Sequence, residues 1–193
     1  MKIINLDLDE VLVDNYKSVT KFKNIEYPYS KPENLGKYEI HAMVGQEWAE
    51  YWESITEDQW ANMDKFPWAD DLVNMVLSIE KQLKGLVKLR FITAPVFTTA
   101  CFAGKMRWIE KHYPKLKYRL CIAGDKQDFV SHDDILIDDS EKNELKFINA
   151  DKHNSFLLFP SVGNRLYELV PKNDAEIKIL IDSIKAKILN KIN

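Results

Sequence analysis

Five short apolar runs alternate along the chain with segments of helical periodicity. The runs cover residues 2–6, 87–92, 118–123, 135–137 and 155–159. Their short length and nearly continuous hydrophobicity are typical of strands buried on both faces of a parallel sheet. Apolar residues recur at helical spacing within 72–83, 105–112 and 141–148, and 177–189 predicts a closing amphipathic helix. The alternation predicts an α/β fold, an open parallel sheet covered by helices.

Residues 15–67 interrupt this alternation directly after the first predicted strand. The segment is rich in aromatic side chains, including Tyr16, Phe22, Trp48, Tyr51, Trp52 and Trp60. A small helical cap needs such residues for its own core, and one or two of them are expected to face a flat ligand ring. We therefore predict a core formed by 1–14 and 68–193 and a helical cap formed by 15–67.

Composition and charge narrow the class of protein. The 193 residues are 46% hydrophobic and 30% charged, as in an ordinary globular domain large enough to bury a core. The formal net charge of -3 gives no general attraction to nucleic acid or to anionic membranes. The only cysteines, Cys101 and Cys121, exclude a four-thiolate zinc site and a disulfide-dense scaffold.

The N-terminal apolar run meets Asp7 too early for a signal peptide, and no apolar stretch approaches membrane-spanning length. We therefore expect a cytoplasmic protein with no membrane partner and no polymeric nucleic-acid partner.

Polar side chains follow four of the predicted strands where each strand ends. In chain order they are Asp7 and Asp9, then Thr93, then Lys126, and finally Asp138 and Asp139. In an open α/β sheet, ligands bind beyond the carboxyl ends of the strands. The order therefore predicts that these side chains converge on one crevice.

Four carboxylates in one crevice repel one another unless a cation compensates them. A hard divalent cation with oxygen ligands meets this need, and Mg²⁺ is the usual one beside phosphate. The hydroxyl of Thr93 and the ammonium of Lys126 are donors suited to phosphoryl oxygens. The set predicts a phosphate site, with one carboxylate as nucleophile and a second, two residues away, transferring a proton.

The stretch Asp7-Leu8-Asp9-Glu10-Val11-Leu12-Val13-Asp14 resembles the first motif of the haloacid dehalogenase superfamily. Thr93, Lys126 and the Asp138-Asp139 pair resemble its second, third and fourth motifs. Within the superfamily, residues 105–112 resemble the helix that follows the second motif of 5'(3')-deoxyribonucleotidases. The likeness covers residues 1–14 and about 66–142, and it implies a Rossmann-like core with an inserted cap.

The resemblance also implies a role for each matching residue. Asp7 is expected to be the nucleophile and a Mg²⁺ ligand. Asp9 is expected to act as general acid and then base, and to lend the metal its backbone carbonyl. Asp138 would complete the protein ligands, with Asp139 beside it. Thr93 and Lys126 would hold the phosphate, with help from Lys105.

Two positions depart from the pattern of these nucleotidases. Glu10 stands where they usually have glycine, and Asn15 stands where they commonly place an aromatic residue that stacks on the base. Tyr16 is adjacent, but on a regular helix it is expected to point elsewhere. The departures predict weaker and broader base selectivity than the relatives show.

The sequence thus predicts a Mg²⁺-dependent phosphomonoesterase whose partner is a small phosphate ester, most simply a nucleoside monophosphate. A phosphatase of another small ester, such as a sugar phosphate, is the main alternative. A signalling receiver domain would place its lone phosphate-accepting aspartate before the threonine and lysine, whereas here the second acidic pair follows Lys126. A phosphatase of nucleic-acid ends would need a basic stripe, which the sequence lacks.

Overall fold

The computed structural model describes residues 1–192 and places five strands in one open sheet. The strands are β1 (Lys2–Leu6), β2 (Val87–Thr93), β3 (Leu120–Ile122), β4 (Ile135–Asp138) and β5 (Phe156–Leu158). They lie in the order β3-β2-β1-β4-β5, and every neighbouring pair is parallel. The prediction of an α/β fold with an open parallel sheet is confirmed. From β1 the chain adds β2 and β3 on one side and then β4 and β5 on the other. The boundary between β1 and β4 is therefore the point at which such folds form a binding crevice.

Eight α-helices accompany the sheet within residues 1–192. They are α1 (Asn15–Lys23), α2 (Ile40–Met43), α3 (Trp48–Trp52), α4 (Glu57–Ala61), α5 (Ala69–Gln82), α6 (Thr99–His112), α7 (Glu141–Asn149) and α8 (Asp174–Ile192). The first four fall in the segment predicted to be the cap. Helix α6 begins earlier than its apolar pattern indicates because the Thr98 hydroxyl accepts a hydrogen bond from the Cys101 amide and caps the helix. The third strand is shorter than predicted because its first residues belong to the 3-10 turn Pro114–Arg119.

The two faces of the sheet bury separate hydrophobic clusters. Alternate residues of β4 divide between them, so that Ile135 and Ile137 enter the larger cluster and Leu136 enters the smaller one. Helices α5, α6 and α8 cover the larger cluster, whereas Phe147 of α7 belongs to the smaller one. This alternation explains the unbroken apolar runs, because each strand must be apolar on both faces.

The inserted segment leaves and rejoins the core at neighbouring points. Val13 forms an antiparallel bridge with Lys65, and the Phe66 amide donates to the Leu12 carbonyl at 3.0 Å. The indole of Trp68 donates to the Val11 carbonyl at 2.9 Å. The division into a core and a cap at these boundaries stays a prediction, since the buried side chains of both segments join one cluster.

Among the helices of residues 1–192, none combines the length and apolar character needed to span a membrane.

Helices α4 and α6 approach closely at Gly104. A Cβ atom at this position would overlap the Cβ of Trp60 and would lie 2.8 Å from the Glu57 carbonyl oxygen. The indole of Trp60 is buried, and it reaches the cavity described below. Gly104 therefore allows α4 to pack closely against α6.

We expect Gly104→Ala to lower the free energy of unfolding by about 1–3 kcal/mol, because the added methyl group forces the two helices apart. Thermal or urea unfolding monitored by circular dichroism measures the loss. Gly124→Ala is the control, because a Cβ there would make only an ordinary contact at 3.6 Å with the Phe97 ring. Equal stability of the two variants would contradict the close packing at Gly104.

Candidate active site

The structure brings the ends of β1 and β4 together. Leu6 pairs with Ile137, and the amide of Asp7 donates to the Ile137 carbonyl at 3.0 Å. Asp7 and Asp138 therefore occupy the carboxyl ends of neighbouring strands. Asp7 is 5% exposed and Asp138 is fully buried. Both were predicted to lie at this edge, and the parallel register places them there.

Lys126 lies between these two carboxylates. Its ammonium is 2.7 Å from Asp7 Oδ1 and 2.6 Å from Asp138 Oδ2. Although the side chain is only 2% exposed, it is held as a cation. Burial acts to lower the pKa of Lys126, but the charges of Asp138 and Asp7 outweigh burial and raise the pKa above its ordinary value. A buried ammonium with two carboxylate partners replaces much of the lost hydration.

A third carboxylate completes an acidic cluster. One oxygen from each of Asp7, Asp138 and Asp139 lies within 4.8 Å of the others. Burial raises the pKa of Asp7 to about 7, opposed by the charge of Lys126. Burial, with the charges of Asp138 and Asp7, also raises the pKa of Asp139 well above its usual range.

The cluster has the chemistry of a hard-cation site. Asp139 Oδ2 is buried and has no hydrogen-bond partner among residues 1–192. Carboxylate oxygens are the ligands that Mg²⁺ prefers, and a cation would supply the missing partner. The residues present therefore fit the predicted metal, although the carboxylate of Asp9 is not part of the cluster.

Asp9 instead forms an ion pair with Lys105. The ammonium of Lys105 is 2.5 Å from Asp9 Oδ2 and donates at 2.7 Å to both the Thr93 hydroxyl and the Ala94 carbonyl. Thr93 is fully buried behind this pair and does not line the cavity, whereas Lys105 does. The order of the strand ends predicted that Asp9 and Thr93 share one crevice, and the resemblance added Lys105, but neither showed that Lys105 lies between the other two.

Two contacts to Asp138 have no signal in the motifs. The Ser140 amide donates to Asp138 Oδ1 at 2.8 Å, and the Asn143 side chain donates to Asp138 Oδ2 at 3.1 Å. Ser140 also caps α7 by accepting from the Asn143 amide. The capping pattern of a helix that begins directly after the Asp138-Asp139 pair was the one available sequence sign of these contacts.

A cavity of about 270 Å³ opens above these groups. Asp7, Asp9, Lys105, Lys126 and Asp139 line one part of it. The remaining lining includes the aromatic residues Tyr16, Tyr38, Trp48, Trp52 and Trp60. More aromatic side chains of the inserted segment line the cavity than the one or two that were expected to face a flat ligand ring. The volume of the cavity is near the lower limit of about 300 Å³ for small-molecule pockets.

Asn15 and Tyr16 both line this cavity, so the expectation that Tyr16 points elsewhere was wrong. They form the first turn of α1, which Asp14 caps by accepting from the Lys17 amide. The Tyr16 ring stacks on Tyr29 with centroids 5.3 Å apart. An aromatic side chain thus reaches the cavity one position after the residue that the family pattern indicates.

The backbone conformation at Glu10 explains why this position favours glycine in the related nucleotidases. Its φ of 56° lies in the left-handed region, which costs a non-glycine residue roughly 1–2 kcal/mol. The side chain is 3% exposed and lines the cavity. Burial, followed by the charges of Asp14 and Asp139, raises the pKa of Glu10 well above its ordinary value.

The family model for "5' nucleotidase, deoxy (Pyrimidine), cytosolic type C protein" matches residues 1–189. The match spans the sheet, the inserted segment and almost all of α8. A comparison with curated proteins found no match.

We expect Lys126→Met to lower the free energy of unfolding by about 3–5 kcal/mol at pH 8, because it leaves Asp7 and Asp138 buried without their cation. The loss should be smaller at pH 6 than at pH 8, because burial already raises the pKa of Asp7 and removal of the Lys126 charge, which lowers that pKa, lets the variant neutralise Asp7 by taking up a proton. Urea unfolding in the presence of EDTA at pH 8 and pH 6 measures both effects.

Lys146→Met is the matched control, because Lys146 pairs with Asp125 at the surface. Its loss should cost no more than about 1 kcal/mol. A Lys126→Met variant as stable as this control at pH 8 would contradict the role of Lys126 as the compensating charge.

Proposed function

Because the chain belongs to the cytosolic type C family of deoxy (pyrimidine) 5' nucleotidases, we propose that it is a Mg²⁺-dependent phosphatase of nucleoside monophosphates. The family is one of haloacid dehalogenase-like hydrolases, and this member is a phosphoric monoester hydrolase of the 5'-nucleotidase type. The metal, the mechanism and the roles of individual residues are parts of the proposal. So is a cytoplasmic location, which agrees with the family's description.

One observation carries the proposal. Asp7 and Asp9 line the same small cavity as Lys126 and Lys105, and aromatic side chains belong to the same lining. The ammonium groups suit the oxygens of a phosphate, while the carboxylate of Asp7 is available for attack on phosphorus. The aromatic lining suits a flat base.

The proposed reaction has two steps. An oxygen of Asp7 attacks phosphorus and the bond to the leaving oxygen breaks, while Asp9 gives that oxygen a proton. Water then attacks the aspartyl phosphate, Asp9 takes a proton from the water, and inorganic phosphate leaves Asp7. Lys105 holds the carboxylate of Asp9 in place through the 2.5 Å ion pair. Lys126 binds phosphoryl oxygens, and Lys105 adds its positive charge to the phosphate site while its N–H groups donate to Asp9, Thr93 and Ala94.

Asp7, Asp138 and the backbone carbonyl of Asp9 would hold Mg²⁺, with Asp139 beside them. When bound, the cation offsets the negative charge of the phosphoryl oxygens. This assignment is supported by the unpaired, buried oxygen of Asp139 and by the all-oxygen donor set.

The size of the cavity favours a small phosphate ester over a nucleic-acid end. A sugar phosphate remains the second candidate, because Glu10 and Asn15 add polar groups to the lining. The match to a family of nucleotidases argues against the signalling-receiver alternative.

We expect Asp7→Asn to lower kcat by on the order of 10³-fold or more, because the amide keeps the shape of the nucleophile but cannot form the phosphoenzyme. Steady-state phosphate release measures the loss. Folding should survive, because the substitution removes one of several crowded charges.

Asp133→Asn is the control, since Asp133 is an exposed residue just before β4 and should leave turnover unchanged. Near-normal turnover by folded Asp7→Asn protein would refute the assignment of the nucleophile.

A phosphate-release screen over nucleoside monophosphates and sugar phosphates tests the function itself. We expect turnover with nucleotides that stops after treatment with EDTA and returns with added Mg²⁺. Ca²⁺ should support turnover poorly, because its larger and looser coordination shell misplaces the phosphate. Full activity after exhaustive chelation would exclude the metal, and turnover of sugar phosphates alone would favour the second candidate.

A further inference from the structure

The cavity is lined by a buried carboxylate, Glu10, that the proposed phosphate chemistry does not use. Glu10 is 3% exposed, and none of the basic residues within 1–192 forms a salt bridge with it. Its side chain accepts a single hydrogen bond, from the Tyr16 amide to Oε1 at 3.0 Å. A buried carboxylate is costly unless donors or a cation reach it. The second oxygen of Glu10 is therefore available to a ligand.

The backbone at Glu10 adds to this cost. A φ of 56° is readily adopted by glycine and disfavoured for glutamate, so the residue is held against its conformational preference. Strained residues of this kind cluster at functional sites, where the surrounding structure keeps them in place. Both the conformation and the burial of Glu10 thus lower the stability of the fold.

Asn15 supplies a second, independent observation. Its side chain is 5% exposed and lines the same cavity, and its Oδ1 is buried with no hydrogen-bond partner among residues 1–192. Buried acceptors in folded proteins nearly always accept a hydrogen bond, so this oxygen is a candidate to accept one from a ligand. Carboxylate and amide oxygens accept hydrogen bonds of the same kind.

We infer that Glu10 and Asn15 form an acceptor subsite that binds a hydrogen-bond donor on the leaving group, either the 2'-hydroxyl of the sugar or the 4-amino group of a pyrimidine base. The inference rests on the proposed function, because it describes the leaving group of that reaction. Substrates without the donor leave Asn15 Oδ1 unpaired and the second oxygen of Glu10 without a donor, and such a mismatch discriminates more strongly than apolar contact does. Substrate choice then depends on hydrogen bonding at these two positions.

Four nucleotides separate the two sources of the donor. CMP, dCMP, UMP and dUMP vary the 2'-hydroxyl and the 4-amino group independently. We expect the wild-type protein to show at least about a tenfold difference in kcat/KM in one of the two contrasts, in favour of the member that carries the hydroxyl or amino group.

Two substitutions test Glu10 directly. Glu10→Gln keeps the size of the side chain and an acceptor for the Tyr16 amide, but it replaces the second oxygen with a donor. Glu10→Gly removes the carboxylate and suits the left-handed backbone. We call the ratio of kcat/KM values in the contrast that shows the expected wild-type difference the selected ratio. Either change should reduce the selected ratio to within about threefold, because the ratio depends on an accepting oxygen. Asn15→Ala should reduce the same ratio.

Glu39→Gln is the matched control, because Glu39 also lines the cavity but is exposed. It should leave the ratio intact. Thermal unfolding of each variant confirms that the kinetics refer to folded protein.

The outcomes separate the inference from the proposed function. A selected ratio that disappears in both Glu10 variants and persists in Glu39→Gln supports the subsite. Wild-type turnover of all four nucleotides within twofold, or a ratio that survives Glu10→Gln, overturns the subsite and leaves the nucleotidase function standing. No turnover of any of the four, despite hydrolysis of p-nitrophenyl phosphate, overturns the proposed function and the subsite with it.

Discussion

The ion pairs of Lys126 with Asp7 and Asp138 are the interactions on which the site depends. They bring a lysine from a turn, an aspartate directly after β1 and an aspartate from β4 into contact, at 2.7 and 2.6 Å. Without the ammonium, the carboxyl ends of two adjacent central strands would hold buried negative charges side by side, which is costly in a protein interior. In the proposed reaction the same ammonium binds the phosphate, so one group both compensates the acidic cluster and meets the substrate.

The inserted segment determines the shape of the cavity above this charged floor. Gly104 lets α4 approach α6, and this brings Trp60 close enough to line the cavity and to lie 5.4 Å from the Lys105 ammonium. Lys105 in turn holds Asp9 and Thr93. The position of an acid-base candidate is therefore coupled to the packing of a helix outside the sheet. The aromatic side chains in the lining suit a flat ligand.

Glu10 breaks a local rule of the first motif, because a buried glutamate occupies a position with the backbone conformation of glycine. Natural sequences usually agree with their folds at every level, and exceptions concentrate at functional sites. The exception here lies in the cavity, which is also lined by Asn15 with its unpaired, buried acceptor. This combination distinguishes the chain from the glycine and aromatic pattern that it otherwise resembles.

The sequence by itself determined the sheet, because strands buried on both faces must be apolar throughout and therefore appear as short continuous runs. It also placed Asp7, Thr93, Lys126 and Asp138 at the same edge of the sheet, since polar residues that follow such runs emerge at the carboxyl ends of the strands. Only the tertiary structure decided which of these groups touch. Lys105 lies between Asp9 and Thr93, and Tyr16 faces the cavity, because helix packing sets the directions of side chains that are distant in sequence. Periodicity describes one element at a time, whereas contacts between elements depend on how closely they pack.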